Sequence, residues 1–208
     1  MKILLTAFEP FGDDTRNAAW EALQLIRSED IPAKLIKLQV PTVFYRSIEI
    51  VQEKMRSEKP DAVLAIGQAE GRAALTLERI AINQDDARIK DNEGNQPVDT
   101  TIYDDGQNAY FATLPIKAIV NKIKANGLPA VVSNSAGTFV CNHLMYGILY
   151  TFEKYKLNGK GGFLHVPCIP EQVIEKPQTA SMSCTDIAKG ITLAVQAIIE
   201  NETAITRS

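Results

Sequence analysis

Short apolar runs alternate with stretches of helical spacing along almost the whole chain, and that alternation restricts the fold more than any other feature. Residues 3–8, 34–40, 61–66, 130–134 and 163–166 are strand-length runs dominated by apolar side chains. Between them, apolar residues recur at intervals of three and four. Ala18, Ala19, Ala22, Leu23 and Ile26 do so in residues 17–28, and Ile48, Val51 and Met55 in residues 45–57. Ile116, Ile119, Val120 and Ile123 follow Pro115, the expected first residue of a helix that ends at Asn126-Gly127. Leu144, Ile148, Leu149 and Phe152 mark a helix over 141–155. Ile187, Ile191, Leu193, Ala194, Ile198 and Ile199 mark the last one, behind a Ser183-Cys184-Thr185-Asp186 cap. Such alternation implies an α/β fold, a mostly parallel sheet with helices on both faces. Residues 75–83 read as one further strand, and the polar stretch 84–106 as a long loop of the kind that often carries function.

With 208 residues the chain is expected to form one domain over 1–208, with 201–208 a frayed tail. A net charge of −3, with both signs interspersed, offers no basic surface for nucleic acid or an anionic membrane. The apolar start, residues 3–8, is too short for a signal peptide and reads as a buried strand. Three cysteines without a C-x-x-C pair fit neither a disulfide framework nor a zinc site, and point to a reducing cytoplasm.

In such sheets ligands bind beyond the carboxyl ends of the strands. The loops at 8–12, 67–72 and 135–140 are expected to leave strand ends and converge there, with His165 at the end of another strand. The third loop leads to Cys141 at the expected start of a helix. The macrodipole and the unpaired N–H groups there favour a thiolate nucleophile. Cys184 has a comparable place at a helix start but lacks the preceding strand and Gly loop; Cys168 lies among prolines with nothing to activate it. The base must be one of two histidines. His143, two residues from Cys141, points to nearly the opposite side of a helix, which leaves His165. A histidine on an apolar strand is ordinarily a satisfied core residue, and a small buried cysteine is ordinarily inert. Glu78 stands out among the acids because Leu75, Leu77, Ile80 and Ile82 flank it; the solvated face of an alternating strand is the commoner explanation for such an acid.

Four segments together extend these readings: Phe8-Glu9-Pro10-Phe11-Gly12; Gly67-Gln68-Ala69-Glu70-Gly71-Arg72 with Glu78-Arg79-Ile80-Ala81-Ile82-Asn83; Ala136-Gly137-Thr138-Phe139-Val140-Cys141-Asn142-His143; and His165-Val166-Pro167 with Ile169-Pro170-Glu171-Gln172. With them the chain resembles the bacterial pyroglutamyl-peptidase I family from residue 1 to the final helix. The resemblance implies a three-layer α/β/α sandwich around a mixed, mostly parallel sheet, and a cytoplasmic homotetramer without cofactor or metal. It implies a cysteine peptidase that removes N-terminal 5-oxoproline from peptides. Its catalytic residues fall on Cys141, His165 and Glu78. Its pyroglutamyl pocket falls on Phe8, Phe11, Thr42, Phe139 and Val140, with Gln68 bonding the lactam through its backbone and Arg88 assisting the oxyanion. The competing readings are a thiol amidase acting on a non-peptide acyl group and an anion-binding module. The second lacks any G-x-G-x-x-G or G-x-x-x-x-G-K-[ST] spacing.

Overall fold

The computed structural model describes residues 1–205. In chain order the elements are β1 (Lys2–Phe8), α1 (Ala18–Leu25), β2 (Lys34–Val40), α2 (Arg46–Glu58), β3 (Ala62–Gln68), β4 (Leu75–Glu78), β5 (Ile80–Ile82), β6 (Ala109–Phe111), α3 (Ile116–Ala125), β7 (Ala130–Ser133), α4 (Val140–Lys154), β8 (Lys160–Val166) and α5 (Cys184–Ile205). Six strands form one sheet in the order β2-β1-β3-β8-β4-β7, and β5 and β6 form a separate hairpin. All neighbours in the large sheet are parallel except β4 and β8, so β4 and β7 run against the other four strands.

Several boundaries differ from the periodicity, each for a local reason. The first helix stops at Leu25 because Ile26 adopts an extended conformation. Residues 75–83 are two strands: the chain leaves the large sheet after Glu78 and re-pairs in the hairpin. Pro115 is the N-cap of α3, one position before its first turn. The final strand begins at Lys160, because its pairing with β3 starts there, opposite Ala62, and the two glycines that follow fit closely against Ile148 and Leu114. The tail expected to fray from 201 stays helical to Ile205, and residues 206–208 lie outside the described part. No described helix is long and apolar enough to cross a membrane.

Strand alternation sorts the core into two layers. Ile3, Leu5, Leu64, Ile66, Leu75 and Leu77 face α1, α3 and α5. Leu4, Phe8, Val63, Ala65 and Phe163 face α2 and α4. Fully burying a side chain such as Phe163 contributes about 1.5–3 kcal/mol, so the sheet is fixed from both sides. By the same alternation Gly67, Thr76, Glu78 and His165 all project toward α4. The candidate side chains Glu78 and His165 thus lie in the layer between the sheet and the helix that begins beside Cys141.

Candidate active site

Register explains how Glu78 and His165 meet. In the antiparallel β4–β8 pair, Thr76 is opposite His165 and Glu78 is opposite Phe163. Glu78 and His165 are therefore diagonal neighbours on one face, within reach of long side chains. His165 Nδ1 lies 2.7 Å from Glu78 Oε1, and the same oxygen accepts from Arg72 Nη1 at 2.8 Å. Glu78 is fully buried and His165 nearly so. The expectation that Glu78 occupies a solvated strand face is corrected: that face of β4 is covered by the helical layer. Burial alone would raise the Glu78 pKa. The hydrogen bond from His165, with Ser133 and the Arg72 charge, outweighs it and holds the carboxyl below its ordinary range. Burial lowers His165, more than Glu78 raises it. The pair therefore rests as carboxylate and neutral imidazole, with Nδ1–H donating to Glu78 and Nε2 left as a base.

Cys141 reaches this pair by an unexpected route. Because β7 is antiparallel to β3, its loop does not leave the sheet at the same edge as those after Phe8 and Gln68. However, Ser133 pairs with Glu78, which pairs with Phe163 in the middle of β8, so β7 ends well inside the sheet. The short loop to α4 then delivers Cys141 beside Gly67, the register partner of His165. A Cβ on Gly67 would lie 3.1 Å from Cys141 Sγ. The helix begins at Val140, so Cys141 is its second residue, and Phe139 makes no side-chain cap. The first-turn N–H groups of Val140, Cys141 and Asn142 have no partner within the helix. Burial, then the Glu78 charge, push the Cys141 thiol up to about 12, with Arg72 opposing. Desolvation thus opposes the helix start, which taken alone favours the thiolate.

The cleft in front of Cys141 encloses about 400 Å³ and is lined by Phe8, Phe11, Thr42, Gln68, Arg88 and Phe139, with Asp14, Arg16, Asn17, Glu70 and Ile89 toward its sides. The rings of Phe11 and Phe139 meet edge to face with centroids 5.5 Å apart. The Gln68 side chain is already engaged: its oxygen accepts from the Ala18 N–H at 2.8 Å and its Nε2 donates to Cys168 Sγ at 3.5 Å. Arg88 is exposed at the cleft. Val140 is fully buried in the α2/α4 core, directly before Cys141. Cys168 and Cys184 are unpaired, and burial raises both thiols. Among the described residues no three His, Cys, Asp or Glu side chains gather as metal ligands.

The long loop 84–106 is tied to the pocket walls. Asn92 Oδ1 accepts from the Gly12 N–H and its Nδ2 donates to the Pro10 carbonyl, so one amide brackets Phe11. Its own N–H donates to the Thr42 carbonyl at 3.2 Å. Asp91 Oδ2 accepts from the Phe44 N–H at 2.9 Å. These partners, and Arg72 on Glu78, had no periodic signature in the sequence.

A family model described as pyroglutamyl peptidase matches residues 1–201. The chain belongs to the pyroglutamyl peptidase family. It is 55% identical over 205 residues to a pyrrolidone-carboxylate peptidase of Clostridium perfringens, covering 99% of this chain and 96% of that one. It is 58% identical over 200 residues to one from Streptococcus pneumoniae, covering 96% and 94%. The crystal structure of pyroglutamyl peptidase I from Bacillus amyloliquefaciens superposes with a TM-score of 0.92 at 46% identity, over 96% of this chain and 97% of that chain. As a member of this cysteine peptidase family the chain is a hydrolase, and the α/β fold with a mixed, mostly parallel sheet is the family's own.

Proposed function

We propose that residues 1–208 act as one catalytic domain that removes an N-terminal pyroglutamyl residue from peptides, with Cys141 as nucleophile, His165 as base and acid, and Glu78 orienting His165. The observation that carries this reading is the buried Glu78 Oε1–His165 Nδ1 bond of 2.7 Å, which leaves Nε2 unprotonated in the layer that also holds Cys141. His165 Nε2 takes the proton from Sγ, and the sulfur forms a bond to the pyroglutamyl carbonyl carbon. The free N–H groups at the start of α4 receive the oxyanion, with Arg88 adding positive charge from the cleft. Protonated His165 gives its proton to the departing amine as the C–N bond breaks. Water, deprotonated by His165, cleaves the thioester; the thiol regains its proton and 5-oxoproline leaves.

The cleft suits that acyl group. A pyroglutamyl ring is flat and uncharged, and the aromatic slot of Phe8, Phe11 and Phe139 presents apolar surface to it. The Gln68 backbone can bond the lactam, and Thr42 closes the side. Proline lacks the lactam carbonyl and would leave buried polar groups unpaired, at a cost of about 1–3 kcal/mol. A cytoplasmic location follows from the need to keep Cys141 reduced; a homotetramer is the assembly the resemblance implies. Hydrolysis of a pyroglutamyl-arylamide tests the reading, with proline and alanine arylamides as controls. The pyroglutamyl compound is expected to be cleaved at least about tenfold faster in kcat/KM. Equal rates on the controls would replace it by a less selective thiol amidase.

A further inference from the structure

His143 is the one histidine left outside that chemistry, and it is completely buried. Both ring nitrogens are used. Nε2 accepts the Tyr45 backbone N–H at 2.7 Å. An atom that accepts from an N–H carries no proton, so Nδ1–H donates to Asp85 Oδ2, also at 2.7 Å. Asp85 is itself fully buried and fixed through two backbone bonds with Thr100, which places it at the root of the long loop.

The group His143 holds is a strained one. Tyr45 has φ 59° and ψ −55°, and the Arg46 N–H closes on the Phe44 carbonyl at 2.6 Å. This is a γ-turn with positive φ at a bulky residue, a conformation that persists only when its surroundings enforce it. The turn, residues 44–46, is separated only by Val43 from Thr42, which lines the cleft. The ring of Phe44 packs edge to face on His143 and on Phe139, with centroids 5.3 Å away in each case, and Phe139 packs on Phe11. Two lines of contact therefore run from the imidazole to the cleft, one along the backbone and one through aromatic rings.

We propose that His143 is a positioning residue for specificity: it holds the Tyr45 turn, and through it Thr42 and the Phe44–Phe139–Phe11 chain, in the shape that admits the lactam ring. The inference rests on the proposed reading of the cleft as a pyroglutamyl pocket. It differs from a general stabilising role because it depends on an acceptor at the Nε2 position. His143→Gln can place its amide oxygen near that position, whereas the shorter His143→Asn reaches only toward Asp85. His143→Phe keeps the ring and removes both nitrogens.

The test is steady-state hydrolysis of pyroglutamyl-arylamide by the full chain. It is paired with protection of Cys141 from iodoacetamide by free 5-oxoproline, which reads the pocket without turnover. His143→Phe and His143→Asn are expected to raise KM, and the 5-oxoproline concentration for half-protection, about tenfold, with kcat within about threefold of wild type. His143→Gln is expected to restore both values to within about threefold. The proposal is overturned if Gln and Asn variants have the same KM, or if kcat falls while KM stays constant. Should His143→Phe not fold, the Gln–Asn comparison decides alone, and failure of both of those to fold would overturn the proposal in favour of a purely structural role. A wild-type enzyme that does not cleave the pyroglutamyl compound would sink the functional reading instead.

Discussion

Gly67→Ala puts one methyl group where Phe163 and the Cys141 sulfur crowd together. Its Cβ would lie 2.8 Å from Phe163 Cζ, 3.0 Å from Cε1 and 3.1 Å from Cys141 Sγ. The backbone there is not in the left-handed region, so the substitution acts through volume alone. Relief requires a shift of about half an ångström, since carbon contacts settle near 3.5–4.0 Å. If the sulfur moves, the nucleophile leaves its position. If Phe163 moves, it presses on His165, whose ring centroid is 4.7 Å away, because Phe163 is fully buried. Either path disturbs the proposed proton transfer. A misplacement of 1 Å can cost about a hundredfold in rate, so half that displacement predicts a loss of about tenfold in kcat. Overpacking should also lower stability by about 1–3 kcal/mol. Gly190→Ala, which crowds Leu75 on the opposite face of the sheet, separates the two effects. It should lower the thermal midpoint and leave kcat within about twofold of wild type. Steady-state kinetics and thermal denaturation of both variants provide the comparison. A Gly67→Ala enzyme with wild-type kcat and wild-type iodoacetamide reactivity would refute the placement of the sulfur beside Gly67.

Three further outcomes follow from the buried charges. Arg72→Met removes a charged hydrogen bond from Glu78 Oε1; kcat should fall about tenfold or more, with Arg72→Lys intermediate, and an unchanged kcat would show that Arg72 has no part in orienting the pair. The carboxyl of Glu78 is held low in the folded state, so the stability it contributes is present above its unfolded pKa and lost as pH falls through the folded value. His165 is lowered too, so the unfolded chain takes up that proton first and stability declines as pH drops below the ordinary histidine value of 6.5. Glu78→Gln should therefore flatten the acid limb of a denaturation-versus-pH series, and an identical limb would contradict the assignment. Because the Cys141 thiol is pushed up to about 12, its alkylation rate by iodoacetamide should climb steadily through neutral pH. A plateau from about pH 5 to 8 would instead indicate a preformed thiolate–imidazolium pair.

Much of the fold was legible because strand and helix periodicities alternate so regularly. The polarity of β7 was not: a four-residue run has the same pattern in either direction, and only its pairing to β4 reveals that it runs against β3. Cys141 and His165 could be singled out by their scarcity and position. The helical argument against His143 as partner of Cys141 agrees with its place, since its ring is spent on Tyr45 and Asp85. Those partners were hidden because they come from positions 45 and 85, which no spacing rule links to 143. Glu78 illustrates the converse. Its alternation with Leu75 and Leu77 was correct, but alternation says only that two faces differ, and here the second face is buried against helices. The long loop read as polar and functional, yet Asn92 and Asp91 act by tying down other loops, which composition does not encode.

The most direct test of the central claim is a rapid acid quench of the full chain turning over pyroglutamyl-arylamide, followed by peptide mass mapping. A pyroglutamyl thioester on the peptide containing Cys141, absent from His165→Ala, is the predicted result. Acylation of Cys168 or Cys184, or undiminished turnover by Cys141→Ala, would contradict it.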